Sequence, residues 1–132
     1  MTWQIGAAME YKIIFYEKEN HETPTLDFLE ALRIKAQKSK NARIQYKQAV
    51  LYIELLKKNG TFLPENITKH IEENIWELRP GNNRIFYFFH EQETFILLHT
   101  FMKKSNKTPK REILKAKRER NDYLIRKEHL NI

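Results

Sequence analysis

The spacing of apolar and polar positions changes period twice along the chain. Tyr11-Lys-Ile-Ile-Phe-Tyr-Glu17 is β-branched and aromatic, of strand length, and stops at the polar cluster Glu19, Asn20 and His21, which predicts a first strand. The period then lengthens: Leu26, Leu29, Leu32 and Ala36 recur at helical spacing behind Thr23-Pro24, a capping hydroxyl followed by a proline suited to a first turn. This helix is expected to run to about Lys38. After a polar break at Ser39 to Asn41, a second stripe of Ala42, Tyr46, Ala49, Ile53 and Leu56 leads to Asn59-Gly60, where glycine suits a helix end. Two antiparallel helices are the expected result.

Beyond a loop around Leu63-Pro64-Glu65-Asn66 the pattern shortens to strands. Ile75 to Arg79, the turn Pro80-Gly81-Asn82-Asn83, Arg84 to Phe89, a turn at Glu91-Gln92 and Phe95 to Phe101 read as a three-strand meander. Thr108-Pro109 repeats the hydroxyl-then-proline device, and Ile113, Leu114, Ala116, Arg120, Tyr123 and Leu124 extend a last, heavily charged helix. The order β-α-α-β-β-β-α defines an α+β domain: an antiparallel meander sheet, two helices packed on one face and a basic C-terminal helix. Residues 10–132 form the one expected domain, with 1–9 as an N-terminal extension in which Met9 is an alternative start. Trp76 and the four rings Phe86, Tyr87, Phe88 and Phe89 read as core, although aromatic strands also stack bases.

Composition narrows the chemistry. A chain of 132 residues, 41% hydrophobic, buries a core without cross-links, and zero cysteines exclude a disulfide scaffold, a zinc ribbon, an iron–sulfur cluster and a thiol nucleophile. No apolar run approaches the ~20 residues that span a bilayer, so a cytoplasmic protein without membrane contact is expected. The net charge of +7 is concentrated: Lys103 to Lys127 holds eleven basic and three acidic residues, or +8, against 13 and 14 elsewhere, or −1. A concentrated basic end suits a polyanion, and it also suits a solvated helix face.

Hairpin arithmetic places the charges. Directly opposed residues of an antiparallel pair have constant index sums. A turn centred between Gly81 and Asn82 gives 163 and sets Arg79 opposite Arg84; one centred between Glu91 and Gln92 gives 183 and sets His99 opposite Arg84. Arg79, Arg84 and His99 are then expected in one row across three strands, unless the register slips by a residue. Facing arginines repel, and two readings account for them: an anion between them, or a frayed sheet end with both in water.

Such a row fits RNA cleavage, in which the 2′-hydroxyl attacks the adjacent phosphorus and needs orientation, charge stabilisation and proton transfer. Arginine grips two phosphoryl oxygens, histidine carries protons near neutral pH, and Lys103 and Lys104 stand ready for backbone phosphates or the leaving oxygen. Lys107, Lys110 and Arg111 extend the phosphate-binding group. Each has a plainer alternative: a structural pairing for His99, a solvated strand exit for the lysines. Glu77 should share the face of Arg79, as a base or, preferably, as an ion-pair partner. The five histidines lack metal-ligand spacing, and neither a glycine-rich phosphate loop nor a G-x-S-x-G elbow is present, so no metal or other cofactor is expected.

Trp76-Glu-Leu-Arg79, Arg84-Ile-Phe-Tyr87, Phe95-Ile-Leu-Leu-His-Thr-Phe-Met-Lys-Lys104, Thr108-Pro109 and Ala116 to Asp122-Tyr123, taken in order, resemble the HigB-like, phage-related branch of the RelE/ParE toxin superfamily. The resemblance implies a type II toxin that cuts messenger RNA, typically in the ribosomal A site, without metal. It further implies a cognate antitoxin, often HigA-like with a helix-turn-helix domain, through which the pair reaches operator DNA. Carried over, the motif arginines are Arg79 and Arg84 and the basic pair is Lys103 and Lys104, with His99 inside the matched strand and Tyr123 in the helical D-Y pattern. Relative to the RelE archetype, Glu77 stands where a basic residue is expected and no tyrosine opens the last helix. The same fold also carries ParE-like gyrase inhibitors, so a non-catalytic toxin or a nucleic-acid-binding module is the alternative.

Overall fold

A computed structural model describes residues 10–91 and 93–130; the expected extension at 1–9 lies outside them. In chain order the elements are β1 (Lys12–Phe15), α1 (Pro24–Lys35), α2 (Lys40–Asn59), β2 (Thr68–Glu72), β3 (Ile75–Leu78), β4 (Asn83–His90), β5 (Thr94–Met102) and α3 (Lys110–Leu130). The sheet order is β1-β5-β4-β3-β2, with β1 parallel to β5 and every other neighbour antiparallel. The α+β class and the meander are as the pattern implies, but the sheet is mixed and gains a strand. Thr68-Lys-His-Ile-Glu72 pairs only with β3 and buries only Thr68, so its sequence lacks the apolar alternation that announces a strand.

Helices cover both faces of the sheet. On one side Leu29 of α1 and Ala49, Ile53 and Leu56 of α2 meet Leu78, Ile85, Tyr87, Phe95 and Leu97. On the other, Ile113 and Ala116 of α3 meet Ile75, Phe86, Phe88, Ile96 and Leu98. Double coverage is why β4 is buried without interruption from Asn83 to Phe88. Each fully buried ring there contributes roughly 1.5–3 kcal/mol. Phe89 departs from the core reading and is 43% exposed, as are Leu26 at 44% and Leu114 at 53% on the expected helix stripes.

Local chemistry sets the helix ends. Thr23 stands at the N-cap of α1, but its side chain makes no capping bond: its hydroxyl donates to Asp27 Oδ1 (3.0 Å) and its backbone N–H to Asp27 Oδ2 (3.2 Å). The helix ends at Lys35, with the next three residues in a turn, rather than at Lys38. Ser39 caps α2 by accepting from the Ala42 N–H (3.1 Å). Gly60 closes α2 with its N–H on the Leu56 carbonyl (2.8 Å) at φ 62°, and a Cβ there would stand 2.7 Å from the Tyr11 ring, so glycine is required twice over.

The β3–β4 register follows the sum 163, from Ile75↔Phe88 to Leu78↔Ile85. The β4–β5 register does not follow 183. His90↔Thr94 to Tyr87↔Leu97 sum to 184, and Ile85↔Thr100 and Arg84↔Phe101 sum to 185. Two causes combine. The connection spans residues 91–93, with Glu93 in the left-handed region at φ 63°, so it is one residue longer than a two-residue turn. Between Ile85 and Tyr87, Phe86 alone faces both Leu98 and His99, a β-bulge. Arg84 therefore stands opposite Phe101, and the expected lateral pairing with His99 is corrected.

Candidate nucleic-acid cleft

At the end of the sheet where β4 begins and β5 ends, the side covered by α3 opens into a shallow cleft. Its lining is Glu77 of β3, Arg79 just beyond it, Arg84 of β4, Phe101 of β5, and the loop from Lys103 to Pro109 that leads into α3. The Lys103 N–H donates to the Asn82 carbonyl (2.7 Å), which carries strand-like pairing past the last residue of β5. Thr108 donates its hydroxyl to Glu77 Oε1 (3.2 Å) and ties the far end of the loop to β3. The threonine read as a helix cap is thus a latch on the cleft.

Glu77 is 1% exposed and organises the arginines. Its Oε2 lies 3.2 Å from Arg79 Nε and 3.7 Å from Arg84 Nε. The Arg79 contact is an ion pair without hydrogen-bond alignment, and Nε has no hydrogen-bond partner. Arg79 Nη1 donates to the Glu65 carbonyl (3.1 Å), while Arg84 Nη1 donates to the carbonyls of Gly81 (2.8 Å) and Asn83 (2.9 Å). Burial pushes the Arg84 guanidinium below its ordinary value; Glu77 opposes the shift, and Arg79 adds to it. With Lys103, Lys104 and Lys107, the described residues put five cations and one carboxylate in the lining. Such a surplus, with planar forks at its centre, suits a phosphate group.

The structure gathers Arg79, Arg84, Lys103, Lys104 and Lys107 and leaves three other expected residues outside. Lys110 and Arg111 are exposed on the first turn of α3 and do not line the cleft. His99 is 2% exposed and held at both ring nitrogens: Nδ1 is 2.6 Å from Glu119 Oε1, and Nε2 is 2.9 Å from Glu112 Oε1. It also packs on the Phe86 ring at 5.2 Å. Its place is the seam between β5 and α3. Among the described residues no group of three histidines, aspartates or glutamates is placed to hold a metal.

Part of the basic segment is structural. Lys117 pairs with Glu72 (2.9 Å) and Glu73 (3.1 Å), and Arg120 with Glu73 (2.9 Å), clamping α3 to the β2–β3 hairpin. Arg126 pairs with Asp122 (2.7 Å), whose Oδ2 also accepts the Tyr16 hydroxyl (2.6 Å). Tyr123 packs edge-on against Phe88 and His90. Sequence reasoning missed Phe101 and Thr108 as lining residues, because a strand phenylalanine and a Thr-Pro pair have commoner structural meanings.

Fold and cleft together define an α+β domain that carries a concentrated cationic site at one end of its sheet. Residues 27–121 match the family described as phage-derived Gp49-like protein (DUF891), and the chain belongs to that family, which is known in a toxin–antitoxin context. No curated protein matches the sequence. No helix among the described residues is long and apolar enough to cross a membrane.

Proposed function

We propose that this protein is the toxin of a type II toxin–antitoxin pair, of the HigB-like branch of the RelE/ParE superfamily, and that it cleaves messenger RNA on the ribosome without a metal. The observation that carries the reading is the convergence of Arg79, Arg84, Lys103, Lys104 and Lys107 on one cleft. In this reading Arg79 and Arg84 hold the non-bridging oxygens and stabilise the charge that grows on phosphorus as the 2′-hydroxyl attacks. Lys104 delivers a proton to the departing 5′-oxygen, while Lys103 and Lys107 hold flanking phosphates. Glu77, paired with both arginines, sets the spacing of the guanidiniums, and the 2′-hydroxyl proton passes to solvent water. His99 serves the scaffold, and Lys110 and Arg111 meet RNA outside the reacting centre.

The partner in this reading is a HigA-like antitoxin with a helix-turn-helix domain, through which the pair contacts operator DNA, and the compartment is the cytoplasm. Family membership in a toxin–antitoxin context supports the partner class. One observation favours a second reading, a non-catalytic toxin acting on gyrase or a plain nucleic-acid binder: among the described residues no histidine lines the cleft. Mapping transcript 5′ ends after induction separates the two. New ends inside codons, lost in Lys104→Ala and Arg84→Lys, are the expected result. Intact transcripts with DNA damage would overturn the nuclease.

A further inference from the structure

Among the described residues Phe101 is the one aromatic in the cleft lining. It is the register partner of Arg84, so its ring stands on the same side of the sheet as the guanidinium. Its ring lies against that of Phe86, centroids 5.4 Å apart and planes 29° from parallel. Phe86 is fully buried, and Phe101 keeps part of its surface exposed where it borders the cleft. A flat apolar ring, backed by another ring and set beside five cations, has the makings of a stacking platform: every nucleobase offers a π-face, and the adjoining cations fix the phosphate next to it.

We infer that Phe101 forms a nucleobase subsite in which an unpaired base next to the held phosphate stacks. The inference rests on the nucleic-acid reading of the cleft and adds a selection within it: single-stranded substrate is preferred, because a paired base cannot reach the ring. The recognition is tolerant of base identity, since the ring offers no hydrogen bonds.

The test uses the full chain and two 2′-O-methyl dinucleotides that resist cleavage, one carrying 2-aminopurine and one with an abasic position in its place. The parent should bind the base-bearing probe about tenfold more tightly and quench its fluorescence. Phe101→Leu should lose the preference and the quenching while binding the abasic probe as the parent does, and Phe101→Tyr should keep both. Equal affinity of the parent for the two probes, without quenching, would overturn the subsite whether or not Phe101→Leu folds. Arg79→Ala separates this outcome from the earlier reading: if it binds both probes as tightly as the parent, the phosphate cleft itself is wrong.

Discussion

His99 Nδ1 lies 2.6 Å from Glu119 Oε1 at a position where neither side chain is more than 8% exposed. Glu112 closes the other side of the ring at 2.9 Å. Removing the histidine leaves two carboxylates facing an apolar gap, a loss of about 3–5 kcal/mol when a buried charged network loses one partner. His99→Leu is therefore expected to lower the urea midpoint sharply while leaving cleavage per folded molecule unchanged. Adding Glu119→Gln should recover part of the stability. A His99→Leu protein as stable as the parent but inactive would return this residue to the reacting centre.

Glu77→Gln removes the charge between Arg79 and Arg84. The nearly buried Arg84 then faces another guanidinium without compensation, and a cost of about 3 kcal/mol is expected. Inorganic phosphate should raise the thermal midpoint of this variant more than that of the parent, because a bound anion supplies what the carboxylate no longer does. Calorimetry with and without phosphate checks both statements.

Lys104 is exposed and has no ion-pair partner among the described residues. Lys104→Ala should change folding stability by less than about 0.5 kcal/mol. Cleavage should fall about hundredfold if the residue supplies the leaving-group proton. Primer extension on a defined message, alongside a thermal melt, reads the two independently.

The pH dependence of stability should have an acid limb to which Asp122 contributes alongside Glu22, Glu30 and Glu73. The Asp122 carboxyl is held below its usual value by the hydrogen bonds from Arg126 first and Tyr16 second. A folded pKa below the unfolded one contributes stability that is complete above the ordinary aspartate value near 4 and is lost as pH falls through the lower, folded value. Asp122→Asn should make the fall of the urea midpoint on acidification shallower. Tyr16→Phe, which removes the smaller donor, should change the slope less.

Much of the fold was legible because periodicity speaks for local elements. Ala42, Ala49, Ile53 and Leu56 mark the buried face of α2, and Ser39 and Gly60 mark its ends. The convergence of Arg79 and Arg84 was legible too, since a dense Pro-Gly-Asn-Asn turn leaves little freedom in the β3–β4 register. What the pattern could not carry was anything decided at a distance. β2 is an edge strand shaped by its neighbour, and Thr108 finds its acceptor 31 positions back in sequence. His99 meets glutamates 13 and 20 positions on, which no spacing rule reveals before α3 is docked. The bulge in β5 is equally silent, because Leu98 and His99 each suit a strand in either orientation.

That bulge governs everything after it. Before it, Ile96 and Leu98 turn toward α3; beyond it, His99 and Phe101 do. Straightening the bulge with every residue kept would roll the tail of the strand by half a revolution, aiming Thr100 and Met102 where Phe101 now borders the cleft and misdirecting the lysine loop that follows. A single uncounted residue is the gearing between a sheet built for packing and a sheet end turned toward the cationic cleft.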